Sequence, residues 1–299
     1  MTQAAERVAS GQGQWSATAG TLKSAYETAR RWVLVLTVLG ALLAAVASQL
    51  PDGLARECVA FLGAAALALS ALVSKRCLGP DKAARWARAR GASEALKRLA
   101  YEYAAQAAPY DDPATRDALA LAEVRKVEDD LADLLDDQQP PSRGGAPTSP
   151  LAPADYVAKR VTASATWYEG KAAAHRALSL RWRRAELGLA VATALLSALA
   201  GAFTRESLAR FTHGIDLAVL VGVLTTAAGA ILAHVEAGRY DYLVVSYRAA
   251  ARRLRDEAAA APASPAVPSP EWSAFVARCE AIVAEETGSW VARFSKPAA

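Results

Sequence analysis

Three histidines, His175, His213 and His234, and three cysteines, Cys58, Cys77 and Cys279, are the residues best able to hold a metal or attack a substrate. The histidines are far apart and lack the short ligand spacings of a zinc site. The cysteines are odd in number and scattered, which suits neither a disulfide framework nor a metal cluster. Gly11 and Gly13 form a G-x-G, but no strand precedes it and no phosphate loop follows. There is no serine in a glycine elbow and no carboxylate pair within an apolar run. An enzyme is therefore not expected, and neither is a bound cofactor or metal.

Two other sets of residues could act without catalysis. Gly222, Thr225, Thr226 and Gly229 interrupt an otherwise apolar segment, with His234 and Glu236 at its end. Threonine hydroxyls and glycine backbone can offer oxygens to a hydrated path, so these four are the candidate pore lining. The same threonines can instead bond their own i−4 carbonyls and need no path at all. The second set is basic: Arg85, Arg88, Arg90, Arg248, Arg252, Arg253 and Arg255. Guanidinium groups suit an anionic nucleotide. They also suit phospholipid head groups beside a membrane span.

Four apolar runs must position these residues. Trp32–Leu50 is nineteen residues without a formal charge, and Cys58–Ser74 is seventeen more. Nineteen helical residues reach roughly 28 Å, about one hydrocarbon core. The turn between them is PDGLARE, and Lys75-Arg76 stops the second run. Leu187–Thr204 and Leu217–Val235 repeat the arrangement across the turn Arg205–Asp216. The expected fold is all-α and polytopic: two transmembrane hairpins, four spans, with long cytosolic helices. The first run is too long for a signal-peptide core, and thirty polar residues precede it, so it reads as a retained anchor.

Between the runs the chain is highly charged. Mean hydropathy is +0.12, although 21% of residues are charged. Dry and charged blocks therefore alternate. Arg outnumbers Lys 26 to 8, and its placement beside the apolar runs suits lipid better than a nucleic-acid groove, so no nucleic-acid partner is expected. Residues 1–20 are polar and small, expected to be disordered or loosely helical. Thr21–Arg31 should run as a helix into the first span. Gly79-Pro80 breaks the chain, and a basic helix restarts near Asp81 with Trp86, Leu96, Leu99 and Tyr103 at helical spacing, as for a core face. Thr115–Asp137 reads as one helix. Its acidic stretch DDLADLLDD either docks on the basic helix before it or faces solvent. Gln138–Pro153, with five prolines and two glycines, is a linker. Asp155–Arg184 reads as an aromatic, increasingly basic helix. A second proline-rich break, Pro262–Pro270, leads to a helix of about Glu271–Phe294 with Trp272, Phe275, Cys279, Ile282, Val283 and Trp290 on one stripe.

The two halves share a plan, with Arg31-Trp32 before the first span and Arg181-Trp182 before the third. This gives domains at 21–137 and 154–299 joined by the linker at 138–153. Basic residues flank the outer ends of both hairpins, whereas the turns carry only Arg56, Arg205 and Arg210. The positive-inside bias places both termini and the linker in the cytoplasm. Small residues four apart, Gly40 with Ala44, Ala66 with Ser70, Gly188 with Ala192 and Gly222 with Thr226, let helix backbones approach, either within one four-helix unit or between subunits of a homo-oligomer.

The stretch WARARGASEALKRLAYEY…APY at Trp86–Tyr110 resembles the helix after the spans of a SLATT domain, the SMODS and SLOG-associating two-transmembrane effector. Tyr168–Arg184, Tyr247-Arg248 with Leu254, and FVARCEAIVAEETGSW at Phe275–Trp290 resemble another SLATT type. The resemblance covers Thr21–Tyr110 and Asp155–Phe294, two domains in tandem. It implies a membrane effector of a bacterial conflict system, an oligomeric pore in the inner membrane opened by a nucleotide second messenger or a nucleotide-sensing protein. The alternative is a non-conducting membrane scaffold that binds partners through its amphipathic helices. No nucleotide synthase or sensor is fused here, so the trigger is expected from outside the chain.

Overall fold

The computed structural model describes residues 2–141, 145–202 and 216–294, and among them the chain is helical, with no strand. The helices are α1 (Gln3–Gln49), α2 (Leu54–Cys77), α3 (Pro80–Ala104), α4 (Arg116–Asp129), α5 (Pro153–Tyr156), α6 (Ala163–Ala202), α7 (Leu217–Gly238), α8 (Tyr240–Ala259) and α9 (Pro270–Phe294). A 3₁₀ turn at Ala132–Asp137 follows α4, and a π-helical segment at Val157–Thr162 joins α5 to α6. Start signals are local. Pro80 opens α3 at a position where its missing N–H costs nothing. The Asp216 carboxylate accepts the Ala218 N–H at 2.9 Å, and the Ser269 hydroxyl accepts that of Trp272 at 3.2 Å. Gly53 adopts φ +150°, a turn conformation that favours glycine, just before α2.

The helices form two compact units, each drawing on both halves of the sequence. The first holds the residues up to Ser24, Pro80–Ala174 and the chain from Tyr242 onward. Its core is aromatic: Tyr156 meets Trp272 at 5.5 Å and Phe275 at 6.4 Å between ring centroids, and the Trp272 indole donates to the Ala105 carbonyl at 2.7 Å. α3 lies along α9, with Trp86 edge-on to Trp290 at 4.8 Å. The buried stripes on α3 and α9 are those that helical spacing marks out.

Three expectations are corrected in this unit. The first twenty residues were expected to be disordered or loosely helical, yet from Gln3 they are a packed part of α1. Ala4, Val8, Trp15 and Ala19 form one buried stripe at helical spacing, and a Cβ on Gly11 would meet Leu96 Cδ1 at 3.3 Å. The small residues that looked featureless are what allow close approach. Second, the helix expected over Thr115–Asp137 is α-helical only to Asp129. The 3₁₀ turn after it brings Asp133 and Asp137 onto Arg88 and Arg85, so the acidic stretch docks on α3. Third, the helix expected over Asp155–Arg184 contains the π segment, which carries the buried Arg160.

The second unit, Ala25–Gly79 with His175–Asp241, contains the four apolar runs. Each belongs to a helix long and apolar enough to cross a membrane. The turn between α1 and α2 is shorter than PDGLARE, because α2 starts at Leu54. The end of the third run at Thr204, most of the following turn and His213 lie outside the described residues. Polarity here is inverted. Large aliphatics point outward, including Val35, Leu39, Leu42 and Val46 on α1 and Leu187, Val191, Leu195 and Leu199 on α6. Small and polar residues point inward: Gly63, Ala66 and Ser70 are buried, and the Thr37 and Ser70 hydroxyls share a 2.8 Å hydrogen bond. A surface of leucine and valine needs a hydrocarbon solvent. The chain is therefore a multi-pass membrane protein.

The ends of the spans are tied. The Gln49 side-chain oxygen accepts the Asp216 N–H at 3.0 Å, so the far end of the α1 span meets the start of α7. At the other end Arg30 donates to the Tyr240 hydroxyl at 3.1 Å, the Trp182 ring lies tilted against His234 at 5.2 Å between centroids, and Arg183 pairs with Asp241. The basic ends of the spans on α1, α6 and α7 thus gather together.

Candidate functional site

On α7, Val223, Ala227 and His234 make the buried face. Gly222, Thr225, Thr226 and Gly229 occupy the opposite face, at i, i+3, i+4 and i+7, and all four are exposed. A Cβ added to Gly222 or Gly229 would meet nothing within 4 Å. Both hydroxyls turn back on the helix, Thr225 onto the Val221 carbonyl and Thr226 onto the Gly222 carbonyl, each at 2.9 Å. The face is small and shallow, with polar edges, and Leu220 and Leu232 are exposed elsewhere on the same helix.

Not every small-residue pair behaves this way. Gly40 and Gly63 close the α1–α2 hairpin: a Cβ on Gly40 would lie 2.6 Å from Leu67 Cγ, and one on Gly63 would lie 3.2 Å from the Ala44 amide nitrogen. Gly188 has open space around it. The Gly40–Ala44 pair therefore serves packing inside the unit, and Gly63 is the partner that spacing within one helix could not supply.

The seven arginines do not converge on one point. Arg85 pairs with Asp137. Arg88 grips Asp133 at 2.7 and 2.8 Å and the Asp130 carbonyl at 2.8 Å. The bond to Asp133 raises the Arg88 pKa and lowers that of Asp133. Arg253 pairs with Glu285 at 2.6 Å, Arg255 with Glu169, and Arg248 and Arg252 are exposed. Arg90 lies over the Trp290 ring at 4.5 Å, with Tyr247 and Glu286 alongside it.

The strongest polar site is one the sequence did not single out. Arg160 donates to Glu280 through Nη2 at 2.6 Å and Nε at 2.9 Å, and the Tyr156 hydroxyl donates to the same carboxylate at 3.0 Å. Burial works against the Arg160 charge, but Glu280 outweighs it and the pKa rises. A glutamate inside the apolar stripe of α9 was the available signal. Its partner 120 positions away was not readable. Among the described residues no group of acidic, histidine or cysteine side chains could hold a metal ion.

Residues 156–290 match the family described as SMODS and SLOG-associating 2TM effector domain 1. Residues 13–118 match a family described only as a protein of unknown function, DUF4231. Comparison with curated proteins and with solved structures gave no match.

Proposed function

For a chain whose residues 156–290 match the SLATT family model, we propose a non-catalytic membrane effector of a bacterial conflict system that assembles with copies of itself and opens a pore in the inner membrane. The first half acts as a second domain of the same type. The observation that carries the reading is the α7 face of Gly222, Thr225, Thr226 and Gly229, four exposed small or polar residues at helical spacing on a unit that also exposes many large aliphatics. Such a face packs poorly against lipid chains, and small residues favour helix–helix contact in membranes. In a ring of copies it would line the axis with backbone and hydroxyl oxygens. The gathered basic ends of the spans lie in the cytoplasm by the positive-inside bias. Opening answers a nucleotide signal or a partner protein that senses one.

The internal bonds of Thr225 and Thr226 favour a second reading, a non-conducting scaffold, because those hydroxyls are already satisfied. Dye-loaded liposomes containing the purified protein separate the two. The pore reading expects leakage that Thr225→Leu with Thr226→Leu abolishes while the assembly size on a sizing column stays the same. Vesicles that remain tight with every nucleotide tested, insertion having been verified, would sink it.

A further inference from the structure

The first unit contains a cleft of about 380 Å³ between α3 and the π segment with the start of α6. That volume lies near the lower end of the roughly 300–1,000 Å³ typical of small-molecule sites, too small for a protein segment with its own fold. Its wall carries Arg90, Lys97, Lys159 and Arg160 against one carboxylate, Glu94. Two of these cations are occupied: Arg160 by Glu280 at 2.6 Å and Lys159 by Asp155 at 3.2 Å. Arg90 and Lys97, on the same helix, form no ion pair within 4.0 Å among the described residues. Trp167 stands at the cleft with 46% of its surface exposed, although most aromatics of this unit are buried. The wider π turn sets Lys159 and Arg160 on the cleft wall just ahead of Trp167.

We propose that this cleft binds a small aromatic phosphate, its phosphate held by Lys97 and Arg90 and its ring laid on Trp167. A phosphate supplies Lys97 with a charge-assisted acceptor and adds an anion beside Arg90, whose guanidinium already meets Tyr247 and the Trp290 ring. A flat ring gains stacking on an indole without any demand for base-specific hydrogen bonds. Lys97 fits the role, because burial depresses its ammonium, Glu94 and Glu280 oppose that while Arg160 and Arg90 add to it, and a further anion beside Lys97 would favour its charged form. As the trigger of the effector the inference rests on the reading above; as a binding site it does not.

The test is calorimetric titration of the full chain in detergent with 5′-AMP, phenyl phosphate, adenosine and inorganic phosphate. At least one of the two aromatic phosphates should bind about tenfold or more tighter than adenosine and inorganic phosphate. Equal binding of both aromatic phosphates indicates a general ring, and preference for 5′-AMP indicates a nucleotide. Lys97→Met and Trp167→Ala should each weaken binding about tenfold, whereas Lys97→Arg and Trp167→Phe should largely retain it. The inference is overturned if neither aromatic phosphate binds below about 1 mM. It is equally overturned if inorganic phosphate binds as well as they do, or if Lys97→Met and Trp167→Ala fold and bind unchanged. Binding without vesicle leakage would count against the pore alone, and nucleotide-gated leakage that survives Lys97→Met would count against this cleft alone.

Discussion

Arg160 and Glu280 meet side by side in the core of the first unit, with relative exposures of 3% and 1% and two hydrogen bonds of 2.6 and 2.9 Å. They join the π segment to α9 across 120 residues. Breaking such a pair leaves one buried charge uncompensated, at about 3–5 kcal/mol, whereas replacing both partners by apolar residues is often neutral. Arg160→Met should therefore destabilise the unit by about 3–5 kcal/mol, and Arg160→Met with Glu280→Met should recover most of that loss. Denaturant unfolding followed by tryptophan fluorescence reads both. A double variant as unstable as the single would show that Glu280 is held by something other than Arg160.

The α1–α2 hairpin makes a second prediction. Gly40 sits so close to Leu67 that a methyl group has no room, while Gly188 on α6 is open. Gly40→Ala should cost about 1–3 kcal/mol through overpacking. Gly188→Ala should be neutral, since its Cβ would touch nothing within 4 Å. Thermal aggregation of the two variants in detergent compares them directly. Equal melting would mean that the close contact of Gly40 with Leu67 is not kept in the folded protein.

These residues also show what a single sequence reveals. The four spans were readable because a run of apolar residues long enough to cross a bilayer leaves no other solvent for itself. The stripe Trp272–Trp290 was readable because one helix fixes its own periodicity. Contacts between distant segments were not. Gly63 opposes Gly40 only once the hairpin register is set. Arg85 and Arg88 looked like ligand contacts because the 3₁₀ turn that delivers Asp137 and Asp133 interrupts the apparent helix. Met1–Gly20 looked unstructured because its buried face is mostly alanine and glycine, with Val8 and Trp15 the only large apolar side chains among the described residues, a pattern too bland for periodicity to register.

Glu286 predicts a pH dependence. Its Oε1 is buried without a hydrogen-bond partner, and Oε2 accepts from Tyr168 at 3.3 Å. Burial raises its pKa above the ordinary 4.5, and Arg90 and the Tyr168 hydroxyl only partly offset that. A raised carboxyl pKa means the folded chain holds the proton more tightly than the unfolded chain. The stabilisation is then complete below the unfolded value and is lost as pH rises through the folded one. Wild-type stability relative to Glu286→Gln should accordingly fall as pH rises, over a window that opens near the ordinary value of 4.5. Glutamine keeps an acceptor for Tyr168, so the comparison isolates the charge. A stability difference that stays constant with pH would mean this carboxylate does not titrate in the window.

The cysteines report sidedness. Cys58 is exposed near the α1–α2 turn, Cys77 is exposed at the basic end of α2, and Cys279 is buried. Burial, with Glu257 and Glu280 nearby, pushes the Cys279 thiol up to about 12. Its thiolate fraction near neutral pH is then roughly one in ten thousand or less, and maleimide attacks the thiolate. With basic ends in the cytoplasm, a membrane-impermeant maleimide added to intact spheroplasts should label Cys58 and spare Cys77. Opening the cells should add Cys77, and only denaturation should add Cys279. Cys58→Ser and Cys77→Ser assign each band on a gel. Labelling of Cys77 in intact spheroplasts would invert the topology drawn from the basic residues.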